Sequence, residues 1–165
     1  MQKIPLGTED FKKIIENHYY YVDKTKAIEG IVESSAEVIL FTRPRRFGKT
    51  LFLSTLNYFY NIENKDDNKL LFKDLYIAKS KAFSEQGKYP VISISLKDVS
   101  GATFNDLIYL LGHKLQVIIQ EIQKTFKLDP IDKMELDKMI SRDKNTLATA
   151  LFTFTKLFYE HYNKK

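Results

Sequence analysis

Five residues, Val38-Ile39-Leu40-Phe41-Thr42, make an apolar run too short for a core helix and rich in strand-forming side chains. Such a run reads as a strand buried on both faces, the kind that parallel sheets use. It leads directly into Arg43-Pro44-Arg45-Arg46-Phe47-Gly48-Lys49-Thr50, after which Phe52, Leu56 and Phe59 recur at helical spacing to about Tyr60. A buried strand, a basic turn and an amphipathic helix in immediate succession point to an α/β arrangement. Val91 to Leu96 alternates large apolar and small residues and reads as a second strand. The rest is helical in pattern. Thr8 is placed to cap a short helix carrying Phe11, Ile14 and Ile15, and Asp23 to cap one carrying Ala27, Ile28, Ile31 and Val32. Asn61 to Asn68 reads as a polar loop or helix end, and Leu70 to Ile77 and Lys81 to Gln86 as short helical pieces closed by Gly87 and Pro90. Apolar positions from Phe104 to Phe126 hold helical register for more than five turns, starting at Ala102 or Thr103 and stopping before Asp129-Pro130. Shorter helices are expected over Lys133 to Ile140 and from about Thr146.

Composition narrows the chemistry. With 165 residues, 44% of them hydrophobic, the chain suits one domain, or most of one, with a sizeable core. It has no Cys, so disulfides, thiolate metal sites and cysteine nucleophiles are excluded. His18, His113 and His161 are far apart in sequence and lack metal-ligand spacing, so each reads as a surface or packing residue. No apolar run approaches the ~20 residues that span a bilayer, and the segment from Met1 to Gly7 has no signal-peptide core, so a cytoplasmic location without membrane contact is expected. The net charge of +5 favours anionic partners.

The basic turn carries the chemistry. Gly48-Lys49-Thr50 supplies the last three positions of the phosphate-binding pattern G-x-x-x-x-G-K-[ST], with Arg43 where the first Gly belongs. Amides at a helix start can wrap a phosphate closely where a Gly removes the Cβ, which is the task of Gly48. Lys49 would reach the β- and γ-phosphates, and the Thr50 hydroxyl would bind the accompanying Mg²⁺. Arg43, Arg45 and Arg46 add fixed charges beside the site. The structural alternative is a basic helix start on the surface, as charge runs usually are.

Three stretches together resemble the predicted AAA-ATPase-like proteins of bacteria. They are Tyr20-Tyr21-Val22-Asp23-Lys24-Thr25, the run from Val38 to Leu51, and Lys88-Tyr89-Pro90-Val91-Ile92-Ser93-Ile94-Ser95-Leu96-Lys97-Asp98-Val99. The family's Arg-Pro-Arg-Arg-Phe-Gly-Lys-Thr loop also lacks the first Gly. The resemblance covers essentially the whole chain and implies a P-loop NTPase-like α/β fold: an incomplete parallel sheet, here with two clear strands, surrounded by several helices. It implies that residues 1–165 form the N-terminal part of a single ATP-binding domain. It further implies nucleotide contacts from Arg45, Arg46, Phe47, Gly48, Lys49, Thr50 and Leu51, with ATP and Mg²⁺ as cofactors and Thr50 as a metal ligand. Tyr19, Tyr20 and Tyr21, in the segment that often borders the base in related ATPases, are candidates for stacking on adenine, Tyr21 foremost; core packing is the competing role of an aromatic cluster.

Family members often carry a PD-(D/E)XK nuclease-like domain further on, a route to nucleic acid as a partner. The family's acidic strand, which supplies the Mg²⁺-binding Asp and the water-activating Glu, would follow Lys165. Asp98 resembles a strand-end or cap residue instead, so the catalytic residues stay unassigned and almost no hydrolysis is expected. Without the acidic strand the two strands lack their shared neighbour, and self-association or marginal stability is expected. Two other readings stand beside this one. The first is a non-enzymatic basic module whose Arg43, Arg45, Arg46 and Lys49 contact nucleic-acid phosphates. The second is a truncated product without function.

Overall fold

An α-helix closes its backbone hydrogen bonds within one segment, and nearly all the regular structure of this chain is made that way. The computed structural model describes residues 3–142 and 144–163. The backbone gathers into two compact units, Met1–Val91 and Ile92–Lys165.

The first unit holds α1 (Phe11–Glu16), α2 (Lys26–Glu33), α3 (Lys49–Tyr60) and α4 (Lys65–Leu70), followed by two 3₁₀ segments, Tyr76–Lys79 and Lys81–Glu85. Asp10, rather than Thr8, caps α1: its carboxylate accepts the Lys13 N–H at 2.9 Å, and its second oxygen accepts the Tyr58 hydroxyl at 3.2 Å, tying α1 to α3. Phe11, Ile28, Phe59, Phe72 and Ile77 are fully buried together. The Phe72 ring lies 4.9 Å from that of Phe11 and 5.5 Å, edge-on, from that of Phe59. Because α3 is locked into this core through Phe59, the turn at its N-terminus starts from a fixed base. The polar stretch expected to be a loop or helix end instead holds the start of a new helix, α4, entered through Asn64 in the left-handed region and stabilised by Asp66 and Asp67 in its first turn, where the helix dipole favours negative charge.

The second unit holds α5 (Phe104–Thr125), α6 (Pro130–Ile140), α7 (Lys144–Ala148) and α8 (Ala150–Tyr162). Leu115, Ile119 and Ile122 of α5 pack with Leu136 and Met139 of α6 and Phe154 and Leu157 of α8. A reciprocal capping box starts α5: the Thr103 hydroxyl accepts the Asp106 N–H at 3.2 Å, and the Asp106 carboxylate accepts the Thr103 N–H at 2.9 Å. Asp129 caps α6, with Pro130 in its first turn, so this helix begins three residues before the expected Lys133.

The α/β expectation does not hold. Among the described residues there is no sheet, and the β pairing present is one isolated parallel bridge, Asn61 to Tyr89. Val38 to Thr42 and Val91 to Leu96 carry no ladder. Val38 and Leu40 are 86% and 82% exposed, the opposite of a strand buried on both faces. The reason is physical: a strand forms its ladder only with a neighbouring strand, and among the described residues neither unit supplies one for these segments. Side-chain pattern can favour a strand there but cannot provide its partner. No helix among the described residues is long and apolar enough to cross a membrane.

Candidate functional site

The segment from Arg43 to Gly48 is a discrete turn delivered to the start of α3. Gly48 is the residue before the helix, with φ 75°, a left-handed conformation that costs an L side chain about 1–2 kcal/mol. Arg46 also has a positive φ, 67°, which is unusual for a residue with a Cβ. Gly48 has no side chain with which to cap α3, so the helix's first amides are left to solvent or a ligand.

Two lysines brace this turn. The Lys49 ammonium folds back and donates to the carbonyls of Arg43 and Pro44, the latter at 3.1 Å. The Lys24 ammonium, arriving from the approach to α2, donates to the Phe47 carbonyl at 3.4 Å. Arg43, Arg45 and Arg46 are exposed, and none of them is in a salt bridge among the described residues. The turn therefore concentrates uncompensated positive charge.

Two sizeable clefts flank it. One, of about 680 Å³, brings Arg45, Arg46, Gly48, Lys49, Thr50 and Leu51 to face the segment from Pro5 to Glu9. Thr50, in the first turn of α3, is exposed and lines this cleft, as does Glu9. The other, of about 380 Å³ and mostly apolar, is lined by Ile4, Tyr20, Tyr21 and Val22 together with Lys24, Arg46, Phe47 and Gly48. Arg45 to Leu51 and Tyr21, all expected to contact nucleotide, thus lie on one or both clefts.

Their availability differs. Phe47 is 57% exposed, whereas Tyr21 is half-buried with its ring edge-on to Phe11 at 5.4 Å. Burial pushes the Tyr21 hydroxyl above its ordinary pKa, with a hydrogen bond to Thr55 opposing the rise. Tyr20 lines the same cleft with 55% of its surface free. Its neighbours Tyr19 and Tyr21 are half-buried, so of the three adjacent tyrosines Tyr20 is the one left exposed. Lys24 had no local signal, because its contact spans 23 residues.

Asp23 does not cap α2; Thr25 holds that position. The Asp23 carboxylate instead accepts the Thr25 N–H at 2.8 Å, the Thr25 hydroxyl at 2.7 Å and the Tyr76 N–H at 2.7 Å. Asp98, in the second unit, sits at a left-handed position, φ 68°, with Lys114 at 3.8 Å. No group of three or more His, Asp or Glu residues suited to a metal ion occurs among the described residues.

The turn fits a polyphosphate. It offers uncapped helix amides, a position without a Cβ, an ammonium already seated among carbonyls, and unpaired arginines on an open cleft. A family model described as predicted AAA-ATPase matches residues 5–165, and the chain belongs to that family. Membership is consistent with nucleotide binding in general. The chain is also 39% identical, over 95 residues, to a protein of Azotobacter chroococcum mcd 1 described as an uncharacterized protein in the vnfD 5′ region. That alignment covers 57% of this chain and 17% of the relative, so the chain spans a small part of the curated protein it matches. No solved structure matches it.

Proposed function

We propose that this chain binds the polyphosphate of a Mg²⁺-bound nucleotide, ATP by its family, on the turn from Arg43 to Thr50. The observation that carries the reading is the turn itself: Gly48 is left-handed, the amides of α3 begin uncapped, and Arg45, Arg46, Lys49 and Thr50 line one open cleft. The first-turn amides and Lys49 hold the phosphates, the arginines balance their charge, and the Thr50 hydroxyl is the chain's contribution to the metal. Bound Mg²⁺ supplies charge neutralisation on the phosphate oxygens. The apolar cleft beside the turn takes the base, with Tyr20 and Phe47 as exposed stacking surfaces and Tyr21 forming the floor.

Isothermal calorimetry with Mg-ATP tests the reading. Removing a charged donor by Lys49→Ala is expected to weaken binding by about tenfold or more. Affinity unchanged in that variant would remove the role given to the ammonium. A steep fall of DNA affinity with salt, together with no heat from ATP, would instead favour nucleic-acid phosphates as the ligand of the exposed arginines.

A further inference from the structure

We infer that Lys24 is a positioning residue of the phosphate-binding turn. It holds the Phe47 carbonyl so that the Gly48 N–H faces the opposite way, and it brings a second ammonium charge to a bound polyphosphate. This inference rests on the nucleotide reading above.

The peptide plane supplies the reasoning. In a trans peptide the carbonyl and the next N–H point in opposite directions, and no cis peptide bond is present among the described residues. Lys49 takes the Pro44 carbonyl and so turns the Arg45 N–H away from itself. Lys24 takes the Phe47 carbonyl and does the same for the Gly48 N–H. Two ammonium groups thereby collect the carbonyls of one turn and leave amides for an anion. The approach of Lys24 is close: a Cβ built on Gly48 would lie 3.6 Å from its Nζ.

The neighbours of Lys24 are built to aim it. Thr25 is fully buried, and its hydroxyl accepts the Ile77 N–H at 3.2 Å while the Asp23 carboxylate accepts the Tyr76 N–H at 2.7 Å. Residues 23 and 25 are thus pinned to the same 3₁₀ segment, and the residue between them is projected at the turn. The Asp23 carboxylate is occupied by three donors, and no carboxylate pairs with Lys24 among the described residues. Its charge remains available to a ligand. Asp23 and Thr25 act here only through Lys24.

The test compares Lys24→Met, Lys24→Arg and a control, Lys73→Met, at an exposed position outside both clefts. Calorimetry with Mg-ATP and with adenosine is read across a salt series, alongside Lys49→Ala. Lys24→Met is expected to bind Mg-ATP about tenfold more weakly, with a shallower salt dependence and a much smaller change in adenosine affinity, while Lys73→Met matches the parent. Lys24→Arg, which keeps the charge, recovers part of the loss; if Lys24→Met melts early, this recovery alone supports the inference and an equal loss overturns it. Full Mg-ATP affinity in Lys24→Met beside a weakened Lys49→Ala overturns the role of Lys24 and leaves the nucleotide reading intact, as does a loss shared equally by adenosine. No Mg-ATP binding by the parent chain overturns both.

Discussion

Gly48 bears two demands at once, a left-handed backbone and an approach by Lys24, and they can be separated by substitution. A Cβ at this position would meet Lys24 Nζ at 3.6 Å, an ordinary contact, so the cost of Gly48→Ala is conformational. Gly48→Ala is expected to lower stability by about 1 kcal/mol, and Gly48→Asn by less, since Asn tolerates this region better. Urea denaturation of the two variants would show the order; equal stabilities would mean that the turn relaxes to another φ. The sequence made Gly48, Lys49 and Thr50 legible because their order along the chain is itself the signal. Tyr20 was legible only as one of three adjacent tyrosines, since packing decides which of them stays free, and Lys24 was not singled out because it acts across 23 residues.

Capping chemistry decided where helices begin, and it can be tested at α5. Thr103→Ala removes one half of the capping box and is expected to cost about 1 kcal/mol. The other half titrates. Hydrogen bonds from the Thr103 side chain and then its backbone hold the Asp106 carboxyl below the ordinary carboxylate range. A lowered folded pKa means that this stabilisation is fully present above the unfolded value of about 3.9 and is lost as pH falls through the lower, folded value. Thermal melts from pH 5 downward should therefore show a smaller acid-dependent loss in Asp106→Asn than in the parent; identical slopes would sever the link. For α6, Asp129-Pro130 marked the start as well as the end of the preceding helix, because Pro suits a first turn. Thr8 was a weaker guide than Asp10, whose second oxygen gains Tyr58 through a contact 48 residues away.

At the level of the whole molecule, large apolar side chains remain at the surface of each unit, Val38 and Leu40 in the first and Phe104 and Phe152 in the second, at 66–86% exposure. Such exposure favours association, and sedimentation velocity over a range of concentrations is expected to show species larger than the monomer. A single monomeric boundary at every concentration would refute this. The pattern of residues by itself determined most of the helices, above all the long α5, and the place of the basic turn directly before α3. These depend on bonds closed within a few residues and on charges adjacent in the chain. Tertiary structure alone decided that the two apolar runs carry no sheet, that Asp23 and Thr25 grip the segment at Tyr76 and Ile77, and that Lys24 reaches the Phe47 carbonyl. A strand's partner and a long side chain's destination are both non-local, so no spacing within the chain can encode them on its own.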